Sequence, residues 1–290
     1  MKKVTKAVIP AAGLGTRMLP ISYAVPKEML PIVDAPAMFY LVEEAVKSGI
    51  TDILIITNRG KGSIEDFFDY SFEYTEALMN KGRTEQAEMI AKIASMANVS
   101  FVRQGKADGL AKAIRKAKTF VGDDPFVVLY GDDIIFSDNP VCNQLIEAYE
   151  KVGRSVVGVK SVPSEDLRKY CSLKVKKEDN GLYLCTDMIE KPNKGEEFSN
   201  LAILGRVLLT PEIFDAIDRL TPGAGGEYQL TDAMAEVARK NGIYAIEFDG
   251  ERYDIGSKLG LLKANVVKGL EHPETKDEFC SFIKSLLEQI

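Results

Sequence analysis

From its first residues the chain alternates short apolar runs with stretches of helical spacing. KAVIP at 6–10, DILIIT at 52–57, VSFVRQ at 99–104, PFVVLYGDD at 125–133 and SVVGVK at 155–160 each read as a strand. Between them lie helical patterns at about 37–47, at 64–80 and 84–96, in ADGLAKAIRKAK and near 141–151. In the first of these, Ala37, Met38, Leu41, Val42, Ala45 and Val46 fall on one helical face, the stripe expected of a core-facing helix. Strand–helix alternation of this kind predicts an α/β fold. Strands unrelieved by polar residues predict a sheet covered on both faces.

After residue 160 the rhythm changes. CSLKVKKEDNGLYLCTDMIEKP reads as two strands joined by Asp179, Asn180 and Gly181, residues suited to a hairpin turn. LAILGRVLL reads as a further strand, TPEIFDAIDRL as a helix begun by proline, and QLTDAMAEVARKNG as a helix closed by Asn-Gly. Residues 257–290 read as helical with a break near His272 and Pro273. The expected divisions are therefore 1–160, 161–256 and 257–290.

Composition narrows the chemistry. A chain of 290 residues suits one large core with an appendage. With 37 basic against 43 acidic residues and a net charge of -6, it offers no broad basic surface for tracking nucleic acid. The single histidine, His272, excludes triads and His-rich zinc sites, and its polar setting reads as a solvated loop. The four cysteines show no CxxC spacing and are too sparse for a disulfide scaffold, which fits a reducing, cytoplasmic setting. Lys6, Pro10 and Arg17 interrupt the N-terminal apolar stretch, so it does not read as a signal peptide. No apolar run approaches the roughly 18 residues of a spanning helix, and no membrane partner is expected.

AAGLGTRMLP, residues 11–20, is a glycine-rich turn after the first strand, where backbone N–H groups can approach phosphate oxygens. It lacks the Gly-Lys-Ser/Thr of a P-loop, and Met18 stands where a dinucleotide fingerprint needs its third glycine, which disfavours a Rossmann dehydrogenase. A plain tight turn is the bland alternative. Arg17 and then Lys27 add two cations and point to a polyphosphate site. Asp132 and Asp133 follow a strand, where open α/β sheets place ligands, and read either as oxygen donors for Mg²⁺ or as a turn-forming pair. Asp254 in GERYDIGS is a candidate second ligand.

With AVIPAAGLGTRMLP and PKEMLPIVDAP the chain resembles the sugar-nucleotide pyrophosphorylases. GSIEDFFD, VRQG, IEKP, SNLAILGRVLLTPEIF, PGAGGEYQLTDA and GERYDIGSKLGLLKAN extend the likeness along most of the chain, and the last two resemble the bacterial glucose-1-phosphate uridylyltransferase branch. The resemblance implies a doubly wound mixed sheet of Rossmann-like nucleotidyltransferase type, with an inserted sugar-binding β region and C-terminal helices. In those terms residues 1–160 are the nucleotide-binding core, 161–256 the sugar-binding region with the rest of the sheet, and 257–290 helices that offer an oligomer contact. It also implies the reaction: a glucose 1-phosphate oxygen attacks the α-phosphorus of UTP in line, giving UDP-glucose and pyrophosphate. Such a transfer needs positioning and charge neutralisation rather than a protein nucleophile.

Carried onto this chain, the resemblance has Ala11, Ala12, Gly13 and Gly15 line the nucleotide with backbone groups and Arg17 stabilise the departing pyrophosphate. Lys27 holds phosphate oxygens and Glu28 lies beside the nucleotide. Gln104 reads the uracil edge, Gly109 lets the base approach the backbone, and Asp132 with Asp254 holds Mg²⁺. Lys191 grips the sugar phosphate and Glu190 the sugar hydroxyls, in a homo-oligomer. Alternatives are another sugar 1-phosphate, dTTP in place of UTP, or a weakly active regulatory paralogue. Several positions depart from the pattern: Ala111 and Lys112 replace a glycine and a histidine, Gly131 precedes the aspartates in place of proline, Ala35 replaces a lysine, and Cys171 replaces a glycine after Tyr170. At Ala111 and Cys171 the added Cβ either strains a backbone needing positive φ or narrows a pocket, beside the base and the sugar respectively.

Overall fold

The computed structural model describes residues 1–179 and 181–289 and is built on one nine-stranded mixed sheet. Across the sheet the strands run Asn98–Arg103, Asp52–Thr57, Lys6–Pro10, Phe126–Leu129, Leu201–Leu209, Val156–Ser161, Ile243–Glu247, Tyr183–Glu190 and Cys171–Lys177. The first four are parallel. Leu201–Leu209 runs antiparallel to both its neighbours, and the strands beyond Ile243–Glu247 continue antiparallel. The expected hairpin thus extends the central sheet to its edge. Asn180, the middle residue of its turn, lies outside the described residues.

Strand geometry explains why so many positions are apolar. Successive side chains alternate between faces, so Ala7, Ile9, Ile53, Ile55, Val127 and Leu129 enter one core while Val8, Leu54, Ile56, Phe126 and Val128 enter another. The helix Ala37–Lys47 packs on the first of these through Ala37, Met38, Leu41, Val42 and Ala45. Its one buried charge, Glu44, accepts from fully buried Arg206 at 2.7 Å, which satisfies both groups away from water.

Three segments differ from expectation. The helix expected over 64–80 is two, Gly62–Phe68 and Phe72–Asn80, because the chain turns extended at Asp69 and Ser71 caps the second by accepting from the Tyr74 amide. ADGLAKAIRKAK forms two short helices, Leu110–Arg115 and Lys118–Val121, where the ladder tightens to bonds from Lys116 to Ala113 and from Ala117 to Ile114. His272 is not a freely solvated loop residue: it closes the helix Lys258–Glu271, and its Nε2 lies 3.3 Å from Asp34.

The chain leaves Lys6–Pro10 toward Asp52–Thr57 on one side and later returns as Phe126–Leu129 on the other. This creates a topological switch point, and the crevice outside those strand ends is where such sheets bind ligands. Residues 11–17 and 131–133 sit there. A two-stranded ribbon, Asp133–Phe136 with Glu251–Asp254, places Asp254 opposite Asp133 and so brings a residue from late in the chain to the same crevice.

Candidate active site

The glycine-rich turn leaves its backbone donors available. Ala11 continues the strand ladder, its amide donating to Ile56 at 2.8 Å, so of its backbone groups the carbonyl is the one left for a ligand. From Ala12 to Arg17 no amide donates to a backbone carbonyl among the described residues. Around Gly13 a Cβ would meet nothing within 4 Å. Gly15 is required by the fold: its φ is 68°, and a Cβ there would lie 3.3 Å from that of Ser22 and 3.5 Å from that of Lys27.

Two cations and two carboxylates interlock beside this turn. The Lys27 ammonium lies 2.6 Å from Asp132, and the exposed Arg17 guanidinium spans Asp254 at 3.0 Å and Asp132 at 3.5 Å. Burial pushes the Asp132 carboxyl upward, but Lys27 and then Arg17 more than offset it and hold it below the usual carboxylate range. Gly256 keeps the space among them open: a Cβ there would come within 2.5 Å of Arg17, 2.9 Å of Asp132 and 3.0 Å of Asp254. Among the described residues no group of three or more His, Cys, Asp or Glu side chains forms a closed metal cage. Two carboxylates converging on one cationic group suit Mg²⁺, which is commonly held by one or two carboxylates, waters and substrate phosphates.

Asp133 lines the same cavity as Asp132, but against the reading of the two as a ligand pair its carboxylate is taken by Arg252. It opens the ribbon strand and turns into the protein, where Arg252 Nε donates to it at 2.7 Å. Burial pushes its carboxyl up to about 6 despite that partner. Glu28 is likewise buried. Lys61 donates to both its oxygens, at 3.0 and 2.8 Å, and desolvation shifts the two partners toward neutrality, Glu28 upward and Lys61 downward.

At the far end of the parallel strands the Gln104 amide donates to the Gly109 carbonyl at 3.3 Å. Gly109 has φ 120°, and a Cβ there would lie 2.6 Å from the Tyr228 nitrogen, so glycine is needed for packing whatever ligand approaches. Tyr228 is stitched to this loop by bonds to Asp108 and from Ala111, both 3.0 Å. Ala111 is fully buried in the core with Val8 and Ile56 and does not have positive φ. Its expected narrowing of a pocket beside the base is therefore corrected: the added methyl packs inward.

A cavity of about 400 Å³ joins Arg17, Asp132 and Asp254 to Tyr170, Cys171, Glu190 and Lys191. Cys171 begins an edge strand in register with Glu190, is buried, and has ordinary backbone, so its side chain narrows this cavity without strain. Thr231 donates to Glu190 at 2.7 Å. Burial raises the Glu190 carboxyl, with Thr231 and Lys191 acting against the rise. Lys191 adopts φ 47°, donates its amide to Tyr170 at 2.8 Å, and carries its half-exposed ammonium 3.9 Å from Glu190. A larger cleft of about 660 Å³, lined by Tyr40, Phe136 and Tyr253, contains none of the expected site residues. Size alone does not locate the chemistry.

Sequence reasoning missed Lys61, Arg252, Thr231 and Tyr130, of which the last three line the smaller cavity. Lys61 follows a strand end in NRGKG, and Arg252 stands two residues before Asp254; these positions were the available signals. Thr231 and Tyr130 carried none.

The chain belongs to the nucleotidyl transferase family, which it matches over residues 6–268. Within that class its relatives are specific. It is 47% identical over 286 residues, 99% of both chains, to the UTP–glucose-1-phosphate uridylyltransferase of Staphylococcus epidermidis. It is 45% identical over 287 residues, 99% of this chain and 98% of the relative, to the enzyme of that name from Bacillus subtilis. The solved UTP-bound UGPase from Acinetobacter baumannii shares 37% identity, covers 98% of this chain and 99% of its own, and superposes with a TM-score of 0.90.

Proposed function

We propose that the chain transfers the uridylyl group of UTP to glucose 1-phosphate, forming UDP-glucose and pyrophosphate in an Mg²⁺-dependent reaction. The observation that carries this reading is the single cavity that joins the Arg17–Asp132–Asp254 cluster to Glu190 and Lys191. Near-full-length identity to the two uridylyltransferases supports the choice of substrates.

In this reading the free amides from Ala12 to Arg17 receive phosphate oxygens, and Gln104 and Gly109 receive the base. Glu28 braces the Lys61 side of the site from within. Lys191 holds the phosphate of the incoming sugar, and Glu190, fixed by Thr231, accepts sugar hydroxyls. Lys27 and Arg17 exchange their carboxylate partners for phosphate oxygens, so that Arg17 meets charge as it develops on the leaving pyrophosphate. Asp132 and Asp254 would hold Mg²⁺, which supplies neutralisation of phosphate charge and a template for alignment. Side chains from both walls of the cavity thereby orient acceptor and donor for in-line attack.

Pyrophosphate release from UTP and glucose 1-phosphate with Mg²⁺ tests the reading, against a panel containing dTTP and other sugar 1-phosphates. A clear preference for a different pair would transfer the assignment within the family, and absence of turnover with every pair would favour a regulatory paralogue. No helix among the described residues is long and apolar enough to cross a membrane. We infer that the protein acts in the cytoplasm as a homo-oligomer, which light scattering and fractionation would test.

A further inference from the structure

We propose that Arg252 is a positioning residue that sets the sugar-phosphate wall of the site from its carboxylate wall; the inference rests on the uridylyl-transfer reading. Its side chain, largely shielded from solvent, grips both walls at once. Toward the carboxylate wall, Nε and Nη2 donate to Asp133 Oδ1 at 2.7 and 2.5 Å. Toward the sugar wall, Nη1 donates to the Tyr170 hydroxyl at 3.1 Å, and the guanidinium carbon stands 5.3 Å from the centre of the Tyr170 ring. A planar fork with several donors can serve two partners in fixed geometry, which an ammonium on a flexible stem does poorly.

Each end of this strap is coupled to a site residue. Asp133 follows Asp132 directly and is itself clamped: its carbonyl accepts from buried Arg206 at 2.9 Å, and a Cβ on Gly205 would lie 2.6 Å from its own. Tyr170 precedes Cys171, and its carbonyl accepts the Lys191 amide at 2.8 Å, at a residue whose φ of 47° needs external support. Releasing the Tyr170 hydroxyl should therefore disturb Lys191 and Cys171 while Asp132, held independently through Asp133, stays in place. The carboxylate wall is the reference, and Arg252 transmits its position to the sugar wall.

The test compares Tyr170→Phe, Arg252→Lys and the double variant in the full-length protein, measuring kcat, KM for each substrate and melting temperature. Tyr170→Phe should raise KM for the sugar phosphate about tenfold, the scale of one lost charge-assisted hydrogen bond, with KM for UTP within about twofold of wild type. Arg252→Lys should raise KM for the sugar phosphate at least as much, since it also loosens Asp133, and adding Tyr170→Phe to it should raise that KM no further, because the contact between the two is already gone. Unchanged sugar-phosphate KM in Tyr170→Phe overturns the inference, as does an equal rise for both substrates or additive losses in the double variant. If Arg252→Lys fails to fold, the Tyr170→Phe result decides alone. Wild-type protein inactive with every nucleotide and sugar phosphate would remove the underlying reading, a result distinct from an active wild type with indifferent variants.

Discussion

The Lys27 ammonium lies 2.6 Å from the Asp132 carboxylate, nearer than the Arg17 guanidinium at 3.5 Å, so the two cations proposed to bind phosphate rest on carboxylates proposed to hold the metal. In the proposed reaction a divalent cation held by Asp132 and Asp254 would free Lys27 and Arg17 to meet phosphate. Asp132→Asn keeps shape but loses the charge, and it should lower kcat/KM about a hundredfold or more. Calorimetric titration with Mg²⁺ in the presence of UTP should show weakened cation binding in the variant. Near-normal turnover at limiting Mg²⁺ would sink the metal assignment.

Arg17 is exposed and meets its carboxylate partners from the solvent side, so its loss leaves no buried charge unpaired. Arg17→Ala should therefore fold normally and lose about a hundredfold or more in kcat, with a much smaller change in UTP affinity. Steady-state kinetics paired with direct UTP binding would check this. A large affinity loss at unchanged kcat would make Arg17 a ground-state anchor.

The buried pair Lys61–Glu28 makes a stability prediction of a different kind. Lys61→Met leaves a desolvated carboxylate alone and should cost about 3–5 kcal/mol, whereas Lys61→Met combined with Glu28→Gln should cost less than the single change. Denaturant unfolding of the three proteins would decide. A double variant less stable than Lys61→Met would show that the pair contributes more than mutual neutralisation.

The strands of the first half were legible because uninterrupted apolar runs have few other uses, and the glycine turn with Arg17 and Lys27 was legible because GxG followed by cations is a local pattern. What escaped were pairings across long sequence distances. Asp254 reaches Asp132 only through the ribbon that sets it opposite Asp133, four-residue strands too short to announce themselves. Asp133 looks like a second ligand because it stands beside Asp132 in the sequence, whereas Asp132 lies in the turn and Asp133 opens the ribbon strand with its carboxylate on Arg252. Ala111 looked like a pocket residue until the bond from its amide to Tyr228 placed it in the core.

A pH dependence follows from Asp124, whose carboxyl is held below its usual value by hydrogen bonds from Lys6 and then Lys2. A depressed folded-state pKa gives stability that is present above the ordinary value of 3.8 and is lost as pH falls through the depressed one. Asp124→Asn should flatten the acid limb of the stability profile and leave neutral-pH activity unchanged, since neither Asp124 nor its lysine partners line the cavity. An unaltered acid limb in urea melts would show that the pair is too solvated to matter.

Cys171 offers the sharpest test of substrate choice. Its side chain faces the cavity opposite Glu190 on ordinary extended backbone, so it occupies volume that a glycine would leave free. A bulky substituent on C2 of the sugar, such as N-acetyl, should be disfavoured in the wild type, and Cys171→Gly should relax that preference by about tenfold, the range of one or two methylenes in a pocket. Ala111→Gly should leave the choice between UTP and dTTP unchanged and instead lower stability, because its methyl packs in the core beside Val8 and Ile56. Competition assays with the two sugar phosphates, and with the two nucleotides, separate these outcomes. Wild-type preference for the N-acetylated sugar would remove glucose from the assignment, and unchanged sugar selectivity in Cys171→Gly would leave Cys171 as packing alone.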